Sequence, residues 1–504
     1  MVEDNQQTKK NRLYWRVFGA VLVVLQAISS AILIISLLHT NIFSLLVVSL
    51  IIFGLVALLL FNIYKLVIKK ETYILTRIIC TFIAVACIAL SVFALRYTGA
   101  INGFLNKITE TKPETKEYSV IVKNDSGIKS VSNLNNKSIG LLESDPKSVD
   151  AEQHLSGIAK IKSDYYSDVD TLIGVLDAAI TDAIVLESDR YVAISEELDG
   201  LTKDLEVIYT FEIELGDTNL TPSSKEVTSE PFIIYISGSD SRVGIKATAR
   251  SDVNILAVVN PKVGKILLVS IPRDTYVQLH DTVGLKDKLT HAGIYGISMS
   301  KATIEDFLNV KIDHTIKVGF EAVVKVVDEL GGIDIVSDQA MRLSASSANG
   351  KKTCEYIEGK QHVDGDCVLR FARERKSYER GDRHRGENQQ QVIANIIERL
   401  TSSKDYLLKA PAILDAAADL FETSFERDDI TAFIRMQLAN STKWKVESIS
   451  VDGTGTMLPT YSMGANRPLY VMIPNDESVA SATNRINQYL EEELIETEAE
   501  QDNE

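Results

Sequence analysis

Apolar positions crowd into the first hundred residues of this chain and then change texture. Val17–Leu38, Ile42–Tyr64 and Ile74–Leu95 are long apolar runs; the first two hold no Asp, Glu, Lys or Arg, and the third has only Arg77, near its start. A bilayer core of about 30 Å takes about 20 apolar helical residues, so the pattern predicts three membrane-spanning helices within residues 17–96. A cleaved leader would carry one shorter apolar stretch and a cleavage site, not two further spans. Residues 97–117 then read as a polar stalk.

From Tyr118 the pattern is mixed. Tyr118–Lys123, Ser138–Leu142, Asp182–Leu186 and Glu206–Glu212 read as strands, and Val169–Ala179 as a helix. They form an accessory α/β domain over 118–215, loosely similar to one lobe of a solute-binding protein and without clustered catalytic groups. Residues 216–231, rich in Ser, Thr, Asp, Glu and Pro, are a linker. A second α/β domain spans 232–490. Phe232–Gly238, Asp252–Val259 and Lys265–Ile271 are its first strands, the last two joined by the turn Asn260-Pro-Lys-Val-Gly264. Helices follow at Ile297–Leu308 and Phe320–Leu330, the latter stopped by Gly331-Gly332 before strand Ile333–Val336. A further helix runs from near Arg383 to Leu400. Alternating strands and helices predict a mixed central sheet with helices on both sides.

Charge refines the picture. The formal net charge is −16, but the tail at 491–504 carries eight acids and no Lys or Arg, leaving about −8 on the rest. That balance argues against a nucleic-acid partner. The segment 1–16 holds Lys9, Lys10, Arg12 and Arg16; Lys65, Lys69, Lys70 and Arg77 lie around the junction of the second and third runs; the turn His39–Asn41 has no Lys or Arg. Basic flanks stay inside. Residues 1–16 are therefore expected in the cytoplasm and everything after about Arg96 outside the cell, as in a three-span cell-membrane protein. An outside location permits a disulfide between Cys354 and Cys367; two reduced buried thiols are the alternative. Cys80 and Cys87 fall within the third run.

Candidate chemistry sits at strand ends and on one helix. Ser237-Gly-Ser-Asp-Ser-Arg242 follows a strand, Arg250-Ser-Asp252 opens the next, and Pro272 sends Arg273 into a loop. As a loop residue, Arg273 is expected to contribute nothing to the core. Arg373-Glu-Arg375 comes later, and Asp382, Arg385 and Gln389 share one helix face. Between Arg373 and Arg385 six Lys or Arg face three acids, a positive island in an acidic protein. For any single arginine a solvated surface pair is the simpler reading. Several converging arginines suit a polyanion such as pyrophosphate, and two nearby aspartates suit a hard divalent cation. His291 reads as structural. Walker A, H-E-x-x-H and G-x-S-x-G sequences are absent.

Gly238-Ser-Asp-Ser-Arg242, Arg250-Ser-Asp252, Ser270-Ile-Pro-Arg-Asp-Thr275, Lys288-Leu-Thr-His-Ala292, Val327-Asp-Glu-Leu-Gly-Gly332, Arg373-Glu-Arg375 and Asp382-x-x-Arg385-x-x-Asn-Gln389 occur in this order. Together they resemble the LytR–CpsA–Psr proteins of bacterial cell envelopes over about 232–400. Three spans plus an accessory domain look like the CpsA capsule-biosynthesis branch of Gram-positive cocci. The resemblance implies a phosphotransferase that moves an anionic glycopolymer, capsular polysaccharide above all, from an undecaprenyl pyrophosphate carrier to peptidoglycan, with pyrophosphatase activity as a side reaction. It implies Mg²⁺ (or Mn²⁺) held by Asp240 and Asp252. Arg250, Arg273, Arg373, Arg375, Arg385 and Gln389 would bind phosphate, with Asp382 orienting the arginines; Asp240, Arg250, Arg273 and Arg373 would carry the catalysis. Implied partners are the membrane, the lipid-linked glycan, peptidoglycan and other capsule-biosynthesis proteins. Many members have Arg where this chain has Asn388, one cation fewer. The helix Phe320–Val327 is a candidate wall for the lipid tail, with ordinary core the simpler reading of each residue. The rival reading is a membrane-bound sensor that holds lipid-linked polymer, or regulates capsule synthesis, without turnover.

Overall fold

The computed structural model describes residues 2–69, 73–109, 114–198, 200–215, 223–239, 245, 247–347, 350–402 and 418–493. Asp240, Arg242, the first part of the expected linker (216–222) and most of the acidic tail (494–504) lie outside the described residues.

The chain divides into two compact units. One is built on helices α1 (Val2–Thr40), α2 (Leu45–Asn62) and α3 (Ile74–Thr109). Within them Leu13–Thr40, Leu45–Ile68 and Ile74–Thr109 are long and apolar enough to cross a membrane. Residues 97–109, expected as a polar stalk, continue α3 as helix. Leu33, Leu37 and Leu55 form a small interior cluster, and Asn62 donates to Gln26 within the bundle at 2.9 Å. Gly19 lets the chain near Leu66 come close, since a Cβ there would stand 2.9 Å from the leucine Cβ.

The second unit contains both α/β domains. In the accessory domain β1 (Thr115–Lys123), β2 (Ser138–Leu142), α4 (Ser148–Ser156), β3 (Lys162–Tyr166), α5 (Val169–Asp177), β4 (Ala183–Glu187), α6 (Ser188–Glu197) and β5 (Leu205–Glu214) follow in order. The sheet runs β3-β2-β4-β1-β5. Its first three strands are parallel and β1 is antiparallel to β4 and β5. β4 is buried along its whole length, as an apolar central strand covered on both faces must be. β3 and α4 are elements that the sequence patterning does not mark: β3 (Lys-Ser-Asp-Tyr-Tyr) lacks an apolar run because it is an edge strand.

The larger domain begins with β6 (Phe232–Ser239), β7 (Val253–Asn260) and β8 (Lys265–Ser270). Short β9 (Tyr276–Val277) and β10 (Asp287–Lys288) precede α7 (Leu289–Ala292), α8 (Ile297–Leu308) and β11 (His314–Gly319). Next come α9 (Phe320–Glu329), β12 (Ile333–Ser337), β13 (Met341–Ser347), β14 (Gly350–Tyr356), β15 (Gly359–Val363), α10 (Gly365–Arg373) and α11 (Asp382–Ser402). After β16 (Phe421–Thr423) and α12 (Arg427–Asn440), β17 (Lys445–Ser450), β18 (Gly453–Thr460), β19 (Gly464–Pro474) and α13 (Asp476–Glu491) close the chain. The central sheet is mixed, in the order β16-β11-β6-β7-β8-β17. α8 and α13 pack Ile304, Leu308, Ala482 and Ile486 against Tyr235, Leu256, Val258 and Leu267. A second layer joins α9, α10 and α11 through Val327, Val368, Phe371 and Val392. α12 belongs to the helical unit, where Arg427 donates to Asn106 at 2.7 Å and Arg435 to the Asn41 carbonyl at 3.0 Å.

Cys354 on β14 and Cys367 at the start of α10 are joined as a disulfide, with Cα atoms 5.5 Å apart and a sequence separation of 13. A loop of that length stabilises by about 3 kcal/mol through chain entropy. Replacing both cysteines by serine is expected to lower the Tm by roughly 5–10 °C, read by calorimetry; an unchanged Tm would show that the layer packs without the crosslink.

Candidate functional site

The site forms where β6 and β8 end and β7 begins, beside the first turns of α11. β6 and β7 approach closely at Gly238, where a Cβ would stand 2.8 Å from the Val253 Cβ. The chain then re-enters the sheet through Arg250, Ser251 and Asp252. Ser251 is fixed from several directions: its hydroxyl lies 2.8 Å from that of Ser237 and 3.1 Å from that of Tyr235, and its amide donates to the Thr290 carbonyl at 3.0 Å. Tyr235 in turn donates to Asn254 at 2.7 Å. This buried polar set holds the residues on either side of Ser251 in place.

Arg250 and Asp252, two positions apart, take different partners. Arg273 Nη1 donates to Asp252 Oδ1 at 2.7 Å, and Arg273 Nε lies 3.8 Å from Asp274 Oδ1. From α11, Arg385 Nη2 lies 2.5 Å from Asp382 Oδ1. Gly386 leaves room for Ser270, whose Oγ would lie 2.7 Å from a Cβ there. One pocket is lined by Asp252, Arg273, Asp382, Arg385 and Gln389, together with Asn254, Ser270, Pro272, Arg383 and Ser450. Five of the sequence-predicted residues therefore meet in one place.

Arg250, Arg373 and Arg375 stand apart from that pocket lining. Arg250 is engaged by Glu196 on α6, Nη2 to Oε2 at 2.7 Å. The Arg373 guanidinium stands over the Phe320 ring at 4.9 Å, on the helix expected to flank a lipid tail. Arg375 is exposed. Gln389 donates to the Ala372 carbonyl and Asn388 to the Phe371 carbonyl, each at 3.3 Å. Asn388, which the resemblance marks as one cation fewer, is thus a buried link between α11 and α10.

Electrostatics distinguish the two ion pairs. Burial opposes the charge on Asp252, but Arg273, Arg250 and Arg385 outweigh it and hold the carboxyl below its ordinary range. The Asp382 carboxyl is pushed up by burial, which Arg385 offsets only in part. Burial likewise depresses Arg385, aided by Arg273 beside it. The Nε–H groups of Arg273 and Arg385 are both buried without a hydrogen-bond acceptor among the described residues. Unmet buried donors cost about 1–3 kcal/mol each, so an anion entering this pocket removes a penalty as well as gaining attraction. Arg273, expected to be structurally idle, is the counter-charge of a largely buried aspartate.

A cation can be tested against the same geometry. Among the described residues no group of three or more His, Cys, Asp or Glu is placed to hold a metal ion. Mg²⁺ does not need one, since it suits one or two carboxylates completed by phosphate oxygens and water. Asp252 remains ionised and gives Oδ1 to Arg273, so its second oxygen is the donor on offer; Asp240 lies outside the described residues. The donor chemistry fits.

His291 is fully buried, with Nδ1 2.6 Å from Asp287 Oδ1 and Nε2 3.5 Å from Glu197 Oε1. Asp287 also accepts from the Ser462 amide at 2.8 Å. Burial lowers the imidazole, but the two carboxylates prevail and raise its pKa above 6.5. Burial raises Glu197, yet His291 and Lys288 bring it to about 2 from an ordinary 4.5. The histidine's contribution to stability is complete below pH 6.5 and fades as pH rises through its raised value. The glutamate's is complete above pH 4.5 and fades as pH falls toward 2. Thermal stability is expected to include both only between those limits. In melts from pH 5 to 9, His291→Gln should flatten the alkaline decline; an identical decline in the variant would assign it elsewhere.

Glu196 and Glu197 join the site without having been singled out from sequence, and Lys288 and Asp274, quoted within motifs, had been given no role. For the two glutamates no local signal exists, because their partners lie more than 50 residues away in another domain.

Comparison with known proteins gives the following. A family model described as LytR_cpsA_psr matches residues 208–478. A polyisoprenyl-teichoic acid–peptidoglycan teichoic acid transferase TagU of Halalkalibacterium halodurans is 32% identical over 264 residues, 52% of this chain and 80% of its own. The TagU of Bacillus mycoides is 31% identical over 324 residues, 64% and 96% respectively. The crystal structure of B. subtilis TagV aligns at 28% identity with a TM-score of 0.43, covering 52% of this chain and 98% of that one.

Proposed function

This chain belongs to the LytR–CpsA–Psr family, and on that premise we propose that it attaches a polyprenyl-diphosphate-linked glycopolymer, capsular polysaccharide in particular, to peptidoglycan. The observation that carries this reading is the pocket holding Arg273 and Arg385, two largely enclosed guanidinium groups whose Nε–H each lacks an acceptor among the described residues. Planar forks of that kind suit the bidentate geometry of phosphate. The names of the relatives, teichoic acid transferases acting on peptidoglycan, support the reaction class. Capsular polysaccharide rests on the likeness of three spans and an accessory domain to the capsule branch.

In the proposed reaction an acceptor hydroxyl attacks the sugar-linked phosphorus. A P–O bond to the acceptor forms, the P–O–P bridge breaks, and polyprenyl phosphate leaves with the bridging oxygen. Arg273 and Arg385 stabilise negative charge on the phosphate oxygens, the type of preorganised donor that supplies most of such rate enhancements. Asp252 holds Arg273 in position, and Asp382 does so for Arg385. A bound Mg²⁺ (or Mn²⁺) at Asp252 would neutralise charge on the diphosphate and the leaving oxygen. The hydroxyl proton passes to an aspartate, with Asp240 the sequence candidate.

Charge and packing together support an external α/β region. Arg435 of α12 reaches Asn41 between α1 and α2, and Arg427 reaches Asn106 near the end of α3. The Asn41 turn and the end of α3 are thus on one side of the helical unit and the basic first residues on the other, supporting a cytoplasmic N-terminus and an external α/β region.

The test mixes full-length protein in detergent with labelled lipid-diphosphate glycan, peptidoglycan oligomers and Mg²⁺, and follows label into peptidoglycan. Covalent transfer is the expected result. Tight binding with no transfer, under conditions where a known ligase works, would replace this reading with the sensor.

A further inference from the structure

We infer that Glu197, contributed by the accessory domain, is a positioning residue of the phosphate-transfer site. The inference rests on the reading of Arg250 as a phosphate ligand. Glu197 ends α6 and enters a group of three basic side chains from the larger domain: Oε2 accepts from Lys288 Nζ at 2.6 Å, and Oε1 lies 3.5 Å from His291 Nε2 and 3.8 Å from Arg250 Nη1. Lys288 also lies 3.4 Å from Asp274 Oδ1, and Asp274 stands beside Arg273. A continuous run of alternating charge therefore joins the accessory helix to the pocket: Glu197, Lys288, Asp274, Arg273, Asp252.

The two neighbouring glutamates differ in setting. Glu197 has 13% of its side chain exposed and faces partners that are almost fully enclosed, Lys288 at 5% and His291 at 0%. Glu196 is 54% exposed and meets Arg250 through Oε2, 2.7 Å from Nη2. Glu196 is thus placed to be displaced by an incoming anion, whereas Glu197 stays and keeps Arg250 and Lys288 from swinging apart. A free arginine side chain samples many rotamers, and a fixed carboxylate removes that freedom before substrate arrives.

For a carboxylate to act this way, its helix must be fixed relative to the site, and it is. At the first turn of α6, Arg190 lies 2.5 Å from Glu187 and donates to Tyr295 at 2.8 Å. Lys116 pairs with the same glutamate at 2.7 Å. Beneath α6, Met463 and Leu469 from the β18–β19 hairpin are buried in the accessory core with Leu172, Leu176 and Ile194. The start of β1 joins the larger domain as well, Thr248 donating to the Thr115 carbonyl at 2.8 Å. An apolar interface with buried ion pairs is a fixed mount, unlike the loose contacts of domains that move independently.

The consequence is a split between kinetic constants. Glu197→Gln keeps shape and removes charge. Losing a negative charge favours ground-state binding of diphosphate, while loss of alignment raises the barrier. In the full-length transfer assay kcat is expected to fall roughly 10- to 100-fold, with KM for the lipid diphosphate unchanged or lower. Melting curves are recorded alongside, and rates are taken well below each Tm. If the variant does not fold, Glu197→Asp, which retains the charge but draws it back, should show a smaller fall in kcat at a normal Tm. An unchanged kcat in a folded variant, or a loss of rate that only tracks the unfolded fraction, overturns the inference. Arg273→Ala in the same assay separates the two readings: if it too transfers normally, the phosphate site itself is misassigned, whereas its failure beside a fully active Glu197→Gln condemns the inference alone.

Discussion

Arg273→Ala is expected to lower kcat/KM for polymer transfer by about 10²–10³-fold, the usual cost of removing one preorganised donor to a developing oxyanion. The loss should exceed that from Arg375→Ala, because Arg375 is exposed and outside the pocket lining. Stability should change too. Removing Arg273 strips Asp252 of its 2.7 Å partner, and leaving a mostly buried charged group without its hydrogen bond costs about 1–3 kcal/mol. Rate measurement must therefore accompany a melt. Arg273→Lys keeps a charge near Asp252 but loses the planar fork, so it should recover more stability than activity. Should the alanine variant keep more than a tenth of wild-type kcat/KM while folded, Arg273 is not the phosphate clamp.

Removal of divalent metal is expected to have the second large effect. Asp252 stays ionised in the pocket, and a diphosphate brings further negative charge to it. Two unit charges 4 Å apart repel by about 4 kcal/mol at an effective dielectric of 20, equivalent to about a thousandfold in rate. EDTA should accordingly bring transfer down by about two to three decades, and Mg²⁺ or Mn²⁺ should restore it. Asp252→Asn should respond far less to metal, since the amide neither repels phosphate nor attracts a cation strongly. Turnover indifferent to EDTA would mean that the arginines alone neutralise the diphosphate and would remove the cation from the proposal.

How much of the site could be read in advance depended on whether its parts are local. Asp382, Arg385 and Gln389 were legible because helical spacing alone puts them on one face. Arg273 was legible as a residue released from a strand by Pro272, but its bond to Asp252 was not, since that depends on the pairing of β7 with β8. Arg250 and Asp252 stand two positions apart, yet one meets the accessory domain and the other the pocket. Asn388 looked like a lost cation and is a buried hydrogen-bond donor between helices. The edge strand β3 escaped notice because, with neighbours on one side only, its residues need not be apolar.

The sequence by itself determined the membrane helices, the α/β texture of the two following domains and the family, because these depend on hydropathy, on periodicity and on motifs read along the chain. Tertiary structure alone decided that α12 packs with the membrane helices, that Arg273 meets Asp252, and that a glutamate of the accessory domain stands among basic residues beside the arginine pocket. Each of these is a contact between segments brought together only by folding, and no local pattern encodes a partner in another domain or another layer.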